Sequence, residues 1–243
     1  MILHVNTRDL RKALQAVTPH AHDNADTGLA VVHFTPDDQN LYLQASNGYS
    51  QSLAIVSIWD HRELTGSPDE DSFDLTIDTA KELLKVFREK KKPENELDDQ
   101  LSITVRPDEI TVTDVSGLFP GKSWTVPNTA NSENFPNIPL LFANAIQNGP
   151  RGIANRVLAS GDILKRFSTA AYVYGYSLTL EPTTRSRMVL ISCGDSFLGS
   201  LVEPKPTPED DERHQEWRDD WRGRLPSLGA AITSSRNVRA EVA

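Results

Sequence analysis

A single cysteine, Cys193, in a chain of 243 residues excludes an internal disulfide framework. The start "MILHVNTRDLRK" has no apolar core long enough for a signal peptide. Nowhere do apolar residues run to the roughly 18 to 20 that a membrane span needs. The six histidines, His4, His20, His22, His33, His61 and His214, have no metal-ligand partners at recognised spacing, so no metal is expected. Phosphate loops are absent too, since "GPRG" has too few glycines and no Lys-Ser or Lys-Thr end. No cofactor is expected. These absences describe a globular, cytoplasmic protein with no membrane partner, resident in the host cytoplasm if its source is a virus.

Positive charge is also scarce: 34 acidic side chains face 25 basic ones, for a net charge of −9. Such a field repels phosphate and argues against non-specific coating of nucleic acid, unless a local basic surface overrides it. The stretch "TIDTAKELLKVFREKKK" is such a surface. Lys81, Lys85, Arg88 and Lys92 recur at intervals of four, three and four, which at 100° per residue keeps them within roughly 60° of one another. Leu83, Leu84 and Phe87 take the opposite side.

The chain repeats itself. "MILHVN" alternates like a strand and "TRDLRKALQAV" switches to helical spacing, with Thr7 as N-cap. "GLAVVHF", "NLYLQAS" and "QSLAIVSIW" follow as an antiparallel meander. After a polar connection, "SFDLTI" begins a second copy. Its helix starts at a Thr79–Glu82 capping box, and "LSITV", "EITVTDV" and "KSWTV" are its strands. A third copy follows a weakly structured "LLFANAIQNGPRG": "NRVLAS" as a strand, "GDILKRFSTAA" as a helix capped by Ser160, then "YSLTLEP", "RMVLISC" and "SFLGSLVEP". The fold class is α+β. The organisation is a complete domain over residues 1–127, a linker and remnant over 128–154, an abbreviated second domain over 135–205, and a charged tail over 206–243 with a short helix and a disordered end.

All three helices pair a basic face with an apolar one. Arg8, Arg11, Lys12 and Gln15 oppose Leu10, Leu14 and Val17; Lys165, Arg166 and Thr169 oppose Ile163, Leu164 and Phe167. Ordinary solvated faces give this pattern in any one helix; three equivalent helices in an acidic chain are harder to explain that way.

Duplicated half-domains of strand, helix and meander with basic helix faces resemble the DNA sliding clamps, of the bacterial DNA polymerase III beta-subunit type and its proliferating-cell-nuclear-antigen relatives. "HVNTRDLRKALQAV", "FDLTIDTAKELLKVF", "ENFPNIP" and "YSLTLEP…RMVLISCGDSFLGSLVEP" carry the resemblance. It implies a DNA-clamp fold and a homo-oligomeric ring with helices inside. It further implies a non-catalytic processivity factor with sequence-independent duplex DNA, a DNA polymerase and a clamp loader as partners, in a compact version that includes viral ones. Carried over, Arg8, Arg11, Lys12, Lys81, Lys85, Arg88, Lys92, Lys165 and Arg166 would meet DNA, and Leu201, Val202 and Pro204 would border a partner pocket. The pattern departs from the family between Thr125 and Val157, where about thirty residues stand in for most of a half-domain. An alternative follows from that gap: a clamp-derived accessory or inhibitory docking module that does not encircle DNA.

The tail "EDDERHQEWRDDWRGRL" sets Trp217, Trp221 and Leu225 four apart on a charged helix, a partner-binding or self-docking stripe. A rival enzyme reading rests on Gly194-Asp195-Ser196 and on Asp211 with His214, which resemble the serine and D-x-x-H blocks of GDSL esterases. The order and the short separation of the blocks speak against it, and a Gly-Asp hairpin turn explains the first block. No catalytic residue is expected.

Overall fold

The computed structural model describes residues 1–88, 99–128, 135–148, 157–183 and 187–241, with only the backbone of Asp69, Asn148 and residues 226–241. It holds two compact units, Met1–Glu203 and Pro204–Ala243. In the first, β1 (Ile2–Asn6) runs into α1 (Thr7–Val17), and two 3-10 turns lead to β2 (Val31–Pro36), β3 (Asn40–Ser46) and β4 (Ser50–Arg62). A single turn, α2 (Pro68–Asp71), precedes β5 (Phe73–Thr76), α3 (Ile77–Val86), β6 (Gln100–Val105), β7 (Glu109–Asp114) and β8 (Ser123–Pro127). Then come α4 (Ile138–Asn148), α5 (Gly161–Tyr174), β9 (Thr179–Pro182), β10 (Met188–Cys193) and β11 (Phe197–Val202). The second unit is the helix α6 (Pro208–Glu241).

β4 joins everything. Along one edge it pairs with β3, from Gln51 opposite Ser46 to Ser57 opposite Asn40. Its other edge is divided: residues 50–54 pair with β11, and Ile58 to Arg62 pair with β1. One sheet therefore reads β5-β2-β3-β4-β11-β10-β9, and a second continues β4-β1-β6-β7-β8. The first two copies exchange strands: β1 pairs with β6 of the second copy, and β5 pairs with β2 of the first.

Period-3.6 apolar spacing in α1 buries Leu10, Ala13, Leu14 and Val17 completely, in one core with Ala80 and Leu83 of α3, Phe167 and Ala170 of α5, and alternate strand residues. On the other face of the sheet, Ile138 and Phe142 of α4 pack with Leu53 and Leu190. Covering both faces explains the nearly unbroken apolar run "MVLISC" of β10: Val189, Ile191 and Cys193 face the main core, Leu190 the α4 cluster.

The structure corrects several sequence expectations. Residues 157–160, the described part of "NRVLAS", form no strand; the Leu158 amide donates instead to Glu203 Oε1 at 2.9 Å. "LLFANAI", read as weakly structured, belongs to α4, started by Asn137, whose side chain accepts from Leu140 N at 3.0 Å. The cap of α1 is Asn6 and not Thr7; the cap of α3 is Thr76, which accepts from Thr79 N at 3.2 Å, so no Thr79–Glu82 box forms. Helix α3 stops at Val86, because Phe87 leaves helical geometry at φ −103° and ψ 75° and buries its ring. Leu164 is exposed rather than packed. The tail backbone is helical to Glu241, well past the short helix expected.

Candidate nucleic-acid interface

Each of the three helices that share the main core begins with an acid in its first turn, Asp9, Asp78 or Asp162, where the helix dipole favours it. The cations lie further along. Together α1, α3 and α5 carry seven Lys or Arg against four Asp or Glu, so they are net positive in a chain of net charge −9. The run that stands out in the sequence contributes least, since Lys81 and Lys85 are balanced within α3 by Asp78 and Glu82. Lys81 also sits 3.7 Å from Asp78 in an exposed pair.

Only some of the expected DNA contacts are exposed. Arg8, Lys81, Lys85, Arg88 and Lys165 are, and Lys12 is half-buried. Arg88 follows the end of α3, so the helical stack of four reduces to Lys81 and Lys85; Lys92 lies outside the described residues. Arg11 and Arg166 hold the fold. Arg11 donates to the carbonyls of Leu84 and Phe87, filling acceptors that the end of α3 leaves open. Arg166 donates to Pro19 O and Ala21 O, tying α5 to the turn after α1. Lys81 and Arg166 nonetheless line one hollow of about 330 Å³, together with Gln15 and Thr18. A larger hollow, about 670 Å³, gathers Lys85, Arg88 and Lys122 beside Asp99 and Asp114. Lys122 was not anticipated. Its Nζ lies 3.3 Å from Val86 O at the negative end of α3, and the only cue in the sequence is a lone Lys before the strand "SWTV".

The seam between β4 and β11 fixes α5 and thus Lys165. It is polar and buried: Ser50, Ser52 and Ser200 are fully buried, and Ser200 Oγ donates to Gln51 Oε1 at 2.5 Å. Phe167 lies so close to Gly199 that a Cβ there would come within 2.6 Å of its ring. His20 Nδ1 lies 3.1 Å from Ser50 Oγ, with the ring tilted on Phe167 at 4.5 Å. Burial, helped by the Arg166 charge, pushes the His20 pKa down from 6.5 to about 3, so the ring is neutral.

Of the expected partner residues, Leu201 is fully buried opposite Ser50. Val202 is half-buried; Pro204, Trp217 and Trp221 are exposed. Residues 194–196 turn the β10–β11 hairpin, with Gly194 at φ +59° and Ser196 O accepting from Ile55 N at 2.9 Å. His214 stacks on Trp217 of its own helix at 5.6 Å. Among the described residues no group of three or more His, Cys, Asp or Glu could hold a metal ion, and no helix is long and apolar enough to cross a membrane.

Strand-exchanged half-domains with helices on a shared core and strands outside define an α+β fold of the DNA-clamp type. Solved sliding clamps share it. The DNA polymerase III beta subunit of Thermotoga maritima superposes with a TM-score of 0.59 at 15% identity, covering 85% of this chain and 66% of that one. The beta subunit of Pseudomonas aeruginosa gives 0.57 at 13%, covering 88% and 67%, and the sliding clamp of Bacillus subtilis 0.56 at 10%, covering 85% and 65%. The chain spans about two thirds of the length of each. No protein-family model and no curated protein matches the sequence.

Proposed function

We propose that this chain is a non-catalytic, sliding-clamp-like processivity factor that holds a DNA polymerase on duplex DNA through its helical face. The observation that carries the reading is the net positive charge of α1, α3 and α5 in an acidic chain. A tether must hold DNA without gripping it. A few Lys and Arg near phosphates suffice for that, and no side chain need read base edges. Arg8, Lys81, Lys85, Arg88 and Lys165, which are exposed, and the half-buried Lys12 are the residues for this role, whereas Arg11 and Arg166 donate to backbone carbonyls of the fold. A second reading, a clamp-derived docking module that does not encircle DNA, is favoured by the reduced second domain, in which residues 157–160 form no strand ahead of α5.

Reversing Arg8, Lys81, Lys85 and Lys165 to Glu leaves the fold intact and abolishes binding to duplex DNA. The slope of log affinity against log salt falls by about 0.9 for each lost phosphate contact. Unchanged affinity in fluorescence anisotropy would refute the tether. Retention on closed circular but not linear DNA, in the presence of a loader, separates the encircling reading from the docking one.

A further inference from the structure

The face of α5 that carries Lys165 also carries an aromatic ring. Tyr172 lies two turns further along the helix, about 10 Å down its axis and in line with Lys165. It is 88% exposed, and its neighbours one turn towards the N-terminus are the small Ser168 and Thr169. Tyr176, at 63% exposure, follows Gly175, the left-handed residue that ends α5 at φ +75°. Its ring is held on one side by Gly194 of the β10–β11 turn, where a Cβ would come within 2.9 Å of it. Its carbonyl accepts from Cys193 Sγ at 3.5 Å. Tyr176 is thus a fixed ring with an open side, and Tyr172 is a ring standing in solvent.

We infer that Tyr172 and Tyr176 stack on the bases of an unpaired DNA strand where it leaves the duplex, with Lys165 on its phosphates. The inference rests on the tether reading, which puts Lys165 beside DNA, and adds a single-stranded substrate to it. Bases inside a duplex stack on one another and show only their edges, so an aromatic side chain meets the face of a base where the strand is unpaired. A cation beside open aromatic faces is the arrangement that binds single strands: the cation follows the backbone, and the rings take bases of any sequence. Between Lys165 and Tyr172 the stripe holds Ser168 and Thr169 and no aliphatic side chain, which does not make an apolar docking face for a protein. A tyrosine also keeps its hydroxyl in water while offering apolar ring faces, so both rings stand exposed in the free chain.

The test measures the affinity of the full chain for three probes by fluorescence anisotropy: a blunt duplex, the same duplex extended by a single-stranded overhang, and the overhang alone as an oligonucleotide. Wild type should prefer the overhang-bearing duplex to the blunt one. Tyr172→Ala and Tyr176→Ala, first checked for wild-type circular dichroism and melting, alter no charge. Each should weaken binding of the overhang-bearing duplex about 5- to 150-fold, the loss of one stacked base. Tyr172→Phe should bind it like wild type, because stacking uses the ring and not the hydroxyl. Equal wild-type affinity for the two duplexes, a preference that survives both Ala changes, or one lost in Tyr172→Phe overturns the inference. Binding of blunt duplex without any such preference leaves the tether reading standing alone. Binding of the overhang alone that is lost in Tyr172→Ala, with no binding of blunt duplex, supports the stacking site and refutes the tether.

Discussion

The second and third copies of the repeat begin from similar sequences and end differently. In the second, β5 enters α3 while paired with β2, and β6 pairs with β1 of the first copy. In the third, residues 157–160 enter α5 without forming a strand, and β9 pairs with β10 alone among the described residues. The helices and hairpins are alike because local sequence makes them. The exchanged strands differ because a strand exists only where a neighbour completes its ladder. The third copy replaces the missing exchange with the β4–β11 seam and the packing of α5 on α1.

If that is so, removing the main anchor of α5 should separate the two copies. Phe167→Ala is expected to cost about 3–5 kcal/mol. Hydrogen exchange should speed up in β9–β11 while β5–β8 stay protected; uniform loss of protection in both would show that the third copy is not a separable piece.

Next in size is a pH effect confined to the seam. The folded pKa of His20, about 3, lies below its unfolded value of 6.5, so the unfolded chain binds the proton first as pH falls. The contribution is complete above pH 6.5 and is lost on the way down to 3, at up to about 1.4 kcal/mol per pH unit. His20→Gln should flatten the dependence of the urea midpoint on pH between 6 and 4. A slope equal to that of wild type would mean that His20 titrates normally.

Gly199→Ala comes third, at about 1–3 kcal/mol, since the fully buried Phe167 ring has nowhere to retreat. Pairing it with Phe167→Leu tests the cause: relief of strain should make the double variant more stable than the sum of the two singles, and strict additivity would place the cost elsewhere.

The smallest effects should not distinguish the copies at all. Thr76 and Ser160 cap α3 and α5 with the same bond, side-chain oxygen to the amide three residues on. Each change to Ala should cost about 1 kcal/mol. A several-fold difference in denaturant midpoint shifts would show that capping depends on the copy's surroundings.

The same comparison explains what could be read from the sequence. Alternation in "MILHVN" and "SFDLTI", helical spacing in "TRDLRKALQAV" and the Ser160 cap are local signals, and the structure has the corresponding elements. "NRVLAS" carries the same local signal, yet its described residues 157–160 form no strand, and pairing is not written in the segment itself. Phe87 fits the apolar side of an extended helix; only the core that it enters ends α3 there. α4 left a trace, Asn137 before Pro139 with Ile138, Phe142 and Ala145 at spacings of four and three, which its Asn and Pro content obscured. For the candidate interface, the positions of the cations were legible. The engagement of Arg11 and Arg166 with distant carbonyls was not, because it depends on which helix ends and turns lie beside them.

Strand β4 has a mechanical consequence. Because β11 and β1 abut the same edge of this one 13-residue strand, the two sheets act as rafters fixed to a shared ridge beam. A load drawing the third copy along the ridge strains its rungs simultaneously, in shear, and is resisted by their sum. A load lifting β11 sideways meets them one after another, like a zip. Tension on anything held against α5 will therefore be borne well in one direction and poorly in the other.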